Sequence, residues 1–173
     1  MLSEMCPLVY VSLGSNISPR KDYLIQSLHL IKEQFPVRFS VSSLYETKPY
    51  GNLKHQSYYN CCACFESSLS TFKTLALLLG IEKKVGRVRS GVKWESRCID
   101  IDIVLWEDKI VQQKELMIPH YDISNRDFFI IPLLEMDKEL INPKSGESLR
   151  SELSKIPVES RTHPVRIVSP FLL

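Results

Sequence analysis

The segment Arg97-Cys98-Ile99-Asp100-Ile101-Asp102-Ile103-Val104-Leu105 carries the chain's least ambiguous structural signal. From Ile99 to Leu105 every residue except the two aspartates is branched and apolar, the composition of a buried β-strand. Side chains alternate along a strand, so Asp100 and Asp102 share one face, with Cα atoms roughly 6.5–7 Å apart. Ile99, Ile101 and Ile103 pack behind them. Aspartate is depleted in strands and neighbouring carboxylates repel, so this face predicts a positive partner. Two readings fit. One is a ledge for one or two Mg²⁺ ions, which take phosphate oxygens and water as their remaining ligands. The other is a pair of aspartates, solvated or salt-bridged to nearby arginines.

The preceding loop, Gly86-Arg87-Val88-Arg89-Ser90-Gly91-Val92-Lys93-Trp94-Glu95-Ser96-Arg97, carries four cations, two glycines and a tryptophan. Guanidinium groups make forked contacts to phosphate, and a tryptophan left in water is costly. Alone, the loop also reads as a solvated basic connection. Beside a carboxylate pair it points to a polyphosphate–metal site, where metals and guanidinium groups do most of the work of phosphoryl-type transfer.

A length of 173 residues with 44% hydrophobic content suits one globular domain with a core of its own. A net charge of +2 is too small to make nucleic acid or an anionic membrane the main partner. The five cysteines are Cys6, Cys61, Cys62, Cys64 and Cys98, an odd and bunched set that is no disulfide framework. They read as small apolar residues in a reducing compartment. No signal peptide and no apolar run near 18 residues is present, so a soluble cytoplasmic protein is expected.

In chain order, Leu8 to Leu13 reads as a strand ended by Gly14-Ser15-Asn16. Ser18-Pro19 supplies a capping side chain and a first-turn proline for a helix with Leu24, Ile25, Leu28 and Ile31 on its apolar stripe. Phe35-Pro36 stops it. Val37 to Tyr45 and Tyr58 to Ser67 read as strands two and three. Ser70 caps a second helix, with Phe72, Leu75, Ala76, Leu78 and Leu79 facing inward, that ends near Val85-Gly86. With the aspartate strand the order is β-α-β-β-α-β, an α+β ferredoxin-like core. Ile110-Val111 and Leu116-Met117-Ile118 form an added hairpin, and Ser151 to Ile156 a short helix. Residues 1–156 are read as one domain; 157–173, with no clear packing pattern, as a tail or a linker to a further domain.

Taken together, Gly14-Ser15-Asn16, Tyr45-Glu46-Thr47-Lys48-Pro49-Tyr50-Gly51, Gly86-Arg87-Val88-Arg89, Trp94, Arg97 to Asp102 and Pro119-His120 closely resemble the 6-hydroxymethyl-7,8-dihydropterin pyrophosphokinases of the folate pathway. The resemblance runs from about Val9 to Asn142. It implies transfer of pyrophosphate from ATP to the hydroxymethyl group of the reduced pterin, with two Mg²⁺ ions held at Asp100 and Asp102. Arg87 and Arg97 match the family's catalytic arginines. Glu82, Arg89, Trp94, Ile103, His120, Tyr121 and Arg126 match nucleotide-side positions. Thr47, Lys48, Pro49 and Tyr50 match pterin contacts, Tyr58 and Phe128 the two rings that stack on the pterin, and Asn60 the side chain that reads its amide edge. The loop around Gly86–Ser96 is expected to act as a lid. In several organisms this enzyme is fused to dihydropteroate synthase, so such a link is also implied here.

Most departures from the family pattern fall around the nucleotide, and one falls in the loop of pterin contacts. Glu95-Ser96 stands where small residues are usual, Glu115 where some members carry a cation, and Met117 where a hydroxyl is found; Lys48 replaces a proline. Two rivals are set against this reading. A different Mg²⁺-dependent nucleotidyl- or phosphotransferase on a ferredoxin-like fold would share the aspartates and arginines but not need Tyr58, Asn60 and Phe128. An RNA-recognition domain would carry an aromatic-rich strand motif, which is absent.

Overall fold

The computed structural model describes residues 6–50, 55–88 and 95–168. Strand β1 (Leu8–Ser15) leads into helix α1 (Arg20–Gln34), then come β2 (Ser40–Val41), β3 (Leu44–Thr47), β4 (Tyr58–Glu66), helix α2 (Thr71–Val85) and β5 (Asp100–Trp106). The hairpin β6 (Val111–Gln113) and β7 (Leu116–Ile118) precedes α3 (Asp127–Met136), α4 (Leu149–Lys155) and β8 (Val165–Val168). The main sheet is antiparallel in the order β5-β1-β4-β3-β8, with β2 also on β4. Setting β8 aside and counting β2 and β3 as one strand, this is the 4-1-3-2 order of the expected α+β, ferredoxin-like core.

The sheet is covered on both faces, because its central strands are apolar on both sides. Val9, Val11, Leu13, Cys61, Ala63, Phe65, Ile101 and Ile103 pack with Leu24, Leu28 and Ile31 of α1 and Leu78, Ile81 and Val85 of α2. The alternate residues Tyr10, Cys62, Cys64 and Val104 pack under Phe129, Ile130 and Leu133 of α3 and Leu149 of α4. All five cysteines are free, and all but Cys6 are buried. Among the described residues no helix is long and apolar enough to cross a membrane.

Several local expectations shift. Helix α1 starts at Arg20 with Pro19 at its cap and no side-chain cap bond; the Pro19 carbonyl accepts from Asp22 and Tyr23 N–H instead. The expected second strand is broken at Ser42 and Ser43. Ser42 Oγ accepts from Cys62 N–H, while Ser43 donates through N–H and Oγ to Glu135 of α3. Ser42 N–H still donates to the Cys62 carbonyl at 2.9 Å, so the break lies where Ser43 turns from the sheet to Glu135. Ser70 Oγ accepts from Lys73 N–H, and Gly86 closes α2 at φ 109°, a left-handed cap that suits glycine.

The inward face of α2 is Thr74, Leu78, Ile81, Glu82 and Val85. Of the residues expected inside, Phe72, Ala76 and Leu79 are exposed and Leu75 is half-buried. A run of apolar residues from Leu75 to Leu79 leaves the helix phase ambiguous. Two buried polar residues settle it: Thr74 pairs with Ser67 and Glu82 with the backbone of β5. Residues 162–168 also pack, β8 pairing antiparallel with β3 at the sheet edge.

Candidate active site

Register builds the site. On the α3 side of the sheet, Asp102 lies opposite Ser12, which lies opposite Cys62; one step up, Asp100, Gly14, Asn60 and Tyr45 form the next row. Helix α3 covers the lower rows and leaves these upper ones open. Gly14 suits this row, because a Cβ would sit 2.8 Å from Asn60 Oδ1 and force that amide to shift. Asn60, 4% exposed, donates from Nδ2 to Thr47 Oγ1 at 2.7 Å. Its carbonyl oxygen therefore has a fixed direction.

A pocket stands on these rows. Thr47, Lys48, Tyr50, Tyr58, Asn60, Phe128 and Phe129 line it. Tyr50 meets Phe128 edge-on at 5.9 Å, and Phe128 meets Phe129 in the same way at 4.8 Å. Burial raises the Tyr58 phenol, keeping it neutral. Pro49 is not among the lining residues.

A wider cleft opens on the α2 side and is lined by Glu82, Arg87, Ile103, His120 and Tyr121, with Leu75 and Leu79 from α2 and Lys114, Glu115 and Met117 from the hairpin. Pocket and cleft share Arg97, Asp100, Asp102 and Arg126. The carboxylate pair is thus the wall between two cavities.

Within that wall Arg87 donates to both Asp100 Oδ1 and Glu82 Oε1. Glu82, 2% exposed, also accepts from Ile101 N–H at 2.8 Å, so it fixes the guanidinium against the strand. Arg97 Nε forms an ion pair with Asp100 Oδ2 at 3.0 Å without a hydrogen-bond angle. Its backbone is pinned by Asn16: Arg97 N–H donates to Asn16 Oδ1 at 2.8 Å, and Asn16 Nδ2 donates to Ser96 Oγ at 3.1 Å. Asp102 has neither arginine as an ion-pair partner. Burial, then the charge of Asp100, pushes its carboxyl up to about 7 against the offsetting pull of Arg126 and Arg97. The salt-bridge reading therefore holds for Asp100.

His120 accepts from Asp122 N–H through Nδ1 at 3.1 Å, which leaves Nε2 as its N–H donor. Burial, then the charge of Arg126, lowers its imidazolium to about 4, so the ring is neutral. Arg126 donates from Nε to Asp122 at 2.9 Å, and its guanidinium carbon lies 5.0–5.7 Å from the rings of Phe129, Tyr50, Phe128 and Tyr121.

Thus Thr47, Lys48, Tyr50, Tyr58, Asn60 and Phe128 converge on the pocket, and Glu82, Arg87, Ile103, His120, Tyr121 and Arg126 on the cleft. Arg89 and Trp94, with most of the expected lid and Gly51, lie outside the described residues. Sequence reasoning missed Ser12, Phe129, Leu75, Leu79 and Lys114 as lining residues. Only the surplus of apolar residues on α2 hinted at Leu75 and Leu79.

Comparison with known proteins identifies the family. The family model for 7,8-dihydro-6-hydroxymethylpterin-pyrophosphokinase (HPPK) matches residues 10–138. The chain is 39% identical to the 2-amino-4-hydroxy-6-hydroxymethyldihydropteridine pyrophosphokinase of Haemophilus influenzae over 79% of this chain and 85% of that protein. It is 35% identical to the folic acid synthesis protein of Pneumocystis carinii over 95% of this chain but only 22% of that one. Among solved structures, Plasmodium falciparum HPPK-DHPS superposes with a TM-score of 0.68 at 15% identity, over 90% of this chain and 44% of that one, a likeness of fold. On the family match and these identities, the chain belongs to the HPPK family, the ATP-dependent pyrophosphokinases of folate biosynthesis.

Proposed function

We propose that 6-hydroxymethyl-7,8-dihydropterin binds in the pocket, that ATP binds in the cleft, and that pyrophosphate passes between them across the Asp100–Asp102 wall. One observation carries this reading: the two cavities share Arg97, Asp100, Asp102 and Arg126, so ligands in both would meet at the carboxylates. A flat heterocycle suits Tyr58 and Phe128 at its faces, and the oriented Asn60 amide and Thr47 at its edge. The reaction joins the pterin hydroxyl oxygen to the β-phosphorus of ATP. The bond from that phosphorus to the oxygen bridging the α-phosphate breaks, AMP leaves, and the hydroxyl proton is released.

The donor set of the wall fits Mg²⁺. Two carboxylates on one strand face leave coordination positions for phosphate oxygens and water, as this ion requires, and a cation relieves their mutual repulsion. Two Mg²⁺ ions held by Asp100 and Asp102 would neutralise phosphate charge and favour ionisation of the hydroxyl. The chain's own contribution is positional. Glu82 and Asp100 orient Arg87, Asn16 pins the backbone of Arg97 while Asp100 pairs with its Nε, and both arginines line the cleft where phosphate charge is to be stabilised. The neutral His120 offers an N–H donor without adding charge. Arg89 and Trp94 are assigned, by family resemblance, to the loop closing over ATP.

The test is AMP release from ATP and Mg²⁺, with and without the pterin, for wild type and Asp102→Ala. Pterin-dependent AMP that falls by about 10²-fold or more in the variant is expected for the loss of a metal ligand. AMP or ADP formed without pterin would favour a different phosphotransferase. We also infer that the chain is part of a bifunctional protein with dihydropteroate synthase, a reading supported by the longer folic acid synthesis relatives that it matches over 95% of its length. The length of the native transcript tests it; a stop codon near position 173 ends the idea.

A further inference from the structure

We propose that Thr162 is a positioning residue for the pterin pocket, setting the spacing between its two walls. This rests on the assignment of that pocket to the pterin. One wall is the end of β3, where Thr47 holds Asn60 and Lys48 follows. The other is the start of α3, where Arg126 and Phe128 flank Asp127.

Thr162 bonds to both walls. Its carbonyl accepts from Lys48 N–H at 3.1 Å. Its hydroxyl donates to Asp127 Oδ1 at 2.6 Å and its N–H to Asp127 Oδ2 at 2.9 Å, and that second oxygen also accepts from His163 N–H at 3.1 Å. Asp127 and Thr162 are 1% and 2% exposed. Bonds from neutral donors to a buried carboxylate are stronger than neutral pairs, and leaving such a group unsatisfied is costly. A second observation supports a held geometry. His163 sits at φ 50°, a left-handed conformation disfavoured for a residue with a side chain. It puts the His163 N–H on Asp127, so the clamp maintains the conformer. Beyond it, β8 continues along β3, with Arg166 donating to Tyr45 Oη at 3.3 Å, and Tyr45 donating to Glu135 of α3 at 2.8 Å. The same two elements are therefore tied again, farther from the pocket.

Thr162 lies beyond residues 10–138, the stretch the family model matches. The Lys48 N–H in this clamp exists only because position 48 is not proline. The pocket is therefore completed by a segment that lies C-terminal to the stretch the family model matches. A clamp of this kind acts first on pterin affinity, because Thr47, Lys48 and Phe128 line the pocket and not the cleft.

Steady-state kinetics with each substrate varied, together with thermal melts, tests this on Thr162→Val, Thr162→Ser, Lys48→Pro and Asn60→Ala. Thr162→Val removes only the hydroxyl donor. It is expected to raise the pterin KM about threefold to thirtyfold, below the full scale of one hydrogen bond to a charged group because the effect reaches the ligand through the wall, with ATP KM and kcat unchanged. Thr162→Ser should restore wild-type values. Lys48→Pro, at an exposed position, removes the opposite bond and should raise the pterin KM without opening the buried cluster. A lower melting temperature with the wild-type pterin KM would reduce Thr162 to a structural staple and overturn the proposal. So would parallel changes in both KM values. Asn60→Ala separates the two levels: if it raises the pterin KM and neither clamp variant does, only the clamp fails. An unchanged pterin KM in Asn60→Ala overturns the pocket assignment and the clamp with it.

Discussion

Two single residues show how tightly the site is specified. Gly14 has no room for a Cβ, because Asn60 Oδ1 lies where the methyl group would go. Gly14→Ala must push the Asn60 amide away from its bond to Thr47. We expect a pterin KM raised about tenfold, the scale of one misplaced polar contact, with the ATP KM near wild type. An unchanged pterin KM in that variant would mean that Asn60 does not read the ligand. His120 gives a pH signature. Its imidazole is held neutral down to about pH 4 by burial and by Arg126, with Asp122 and Asp100 pulling the other way. The unfolded chain protonates near 6.5. Between those values the unfolded state binds more protons, so His120 contributes stability that is complete above about pH 6.5 and is lost as pH falls toward 4. His120→Asn removes this slope. From pH 7.5 to 4.5, urea melts should show wild type losing about 1–2 kcal/mol relative to the variant, after allowance for solvent screening of a half-buried group. Parallel curves would place the ring in a more solvated setting.

At the scale of elements, adjacent leucines of α2 have opposite fates. Leu78 is fully buried against the sheet, whereas Leu79 is 37% exposed and lines the cleft. Leu78→Ala should cost about 2–4 kcal/mol of stability. Leu79→Ala should cost less than about 1 kcal/mol and weaken ATP binding instead. Equal melting temperatures for the two variants would refute this helix phase. The same helix marks how much the sequence reveals. Its caps at Ser70 and Gly86 are legible because capping is local chemistry, and β5 is legible because its apolar run admits few alternatives. The phase of α2 is not, since Thr74 and Glu82 are buried by pairing with Ser67 and with β5, groups outside the helix that its own periodicity does not reveal. Helix α3 is hidden for a related reason: Phe128 to Leu134 is apolar on every side and contains Pro132, so no period distinguishes helix from strand. The clamp at Thr162 is less visible still, because a buried threonine in a polar stretch carries no pattern. Asp100 and Asp102 stood out as a pair, but which of them the arginines would engage depended on the fold.

Across the whole molecule, two cavities meet at one wall, and on the proposed assignment each holds one substrate. Residues assigned to one cavity should affect one substrate, while a shared residue should affect both. Arg126 is the sharpest case. It lines both cavities, holds Asp122 beside the nucleotide cleft and stands within 5.0–5.7 Å of four aromatic rings around the pterin pocket. Arg126→Ala removes a charge and the stem that separates the cavities. Calorimetric titration of the variant should show binding of the pterin and of a non-hydrolysable ATP analogue each weakened about tenfold, with His120→Asn weakening only the analogue and Asn60→Ala only the pterin. If Arg126→Ala shifted one ligand alone, the shared wall would be a boundary without a coupling role, and substrate alignment would have to reside in the aspartates and Arg97.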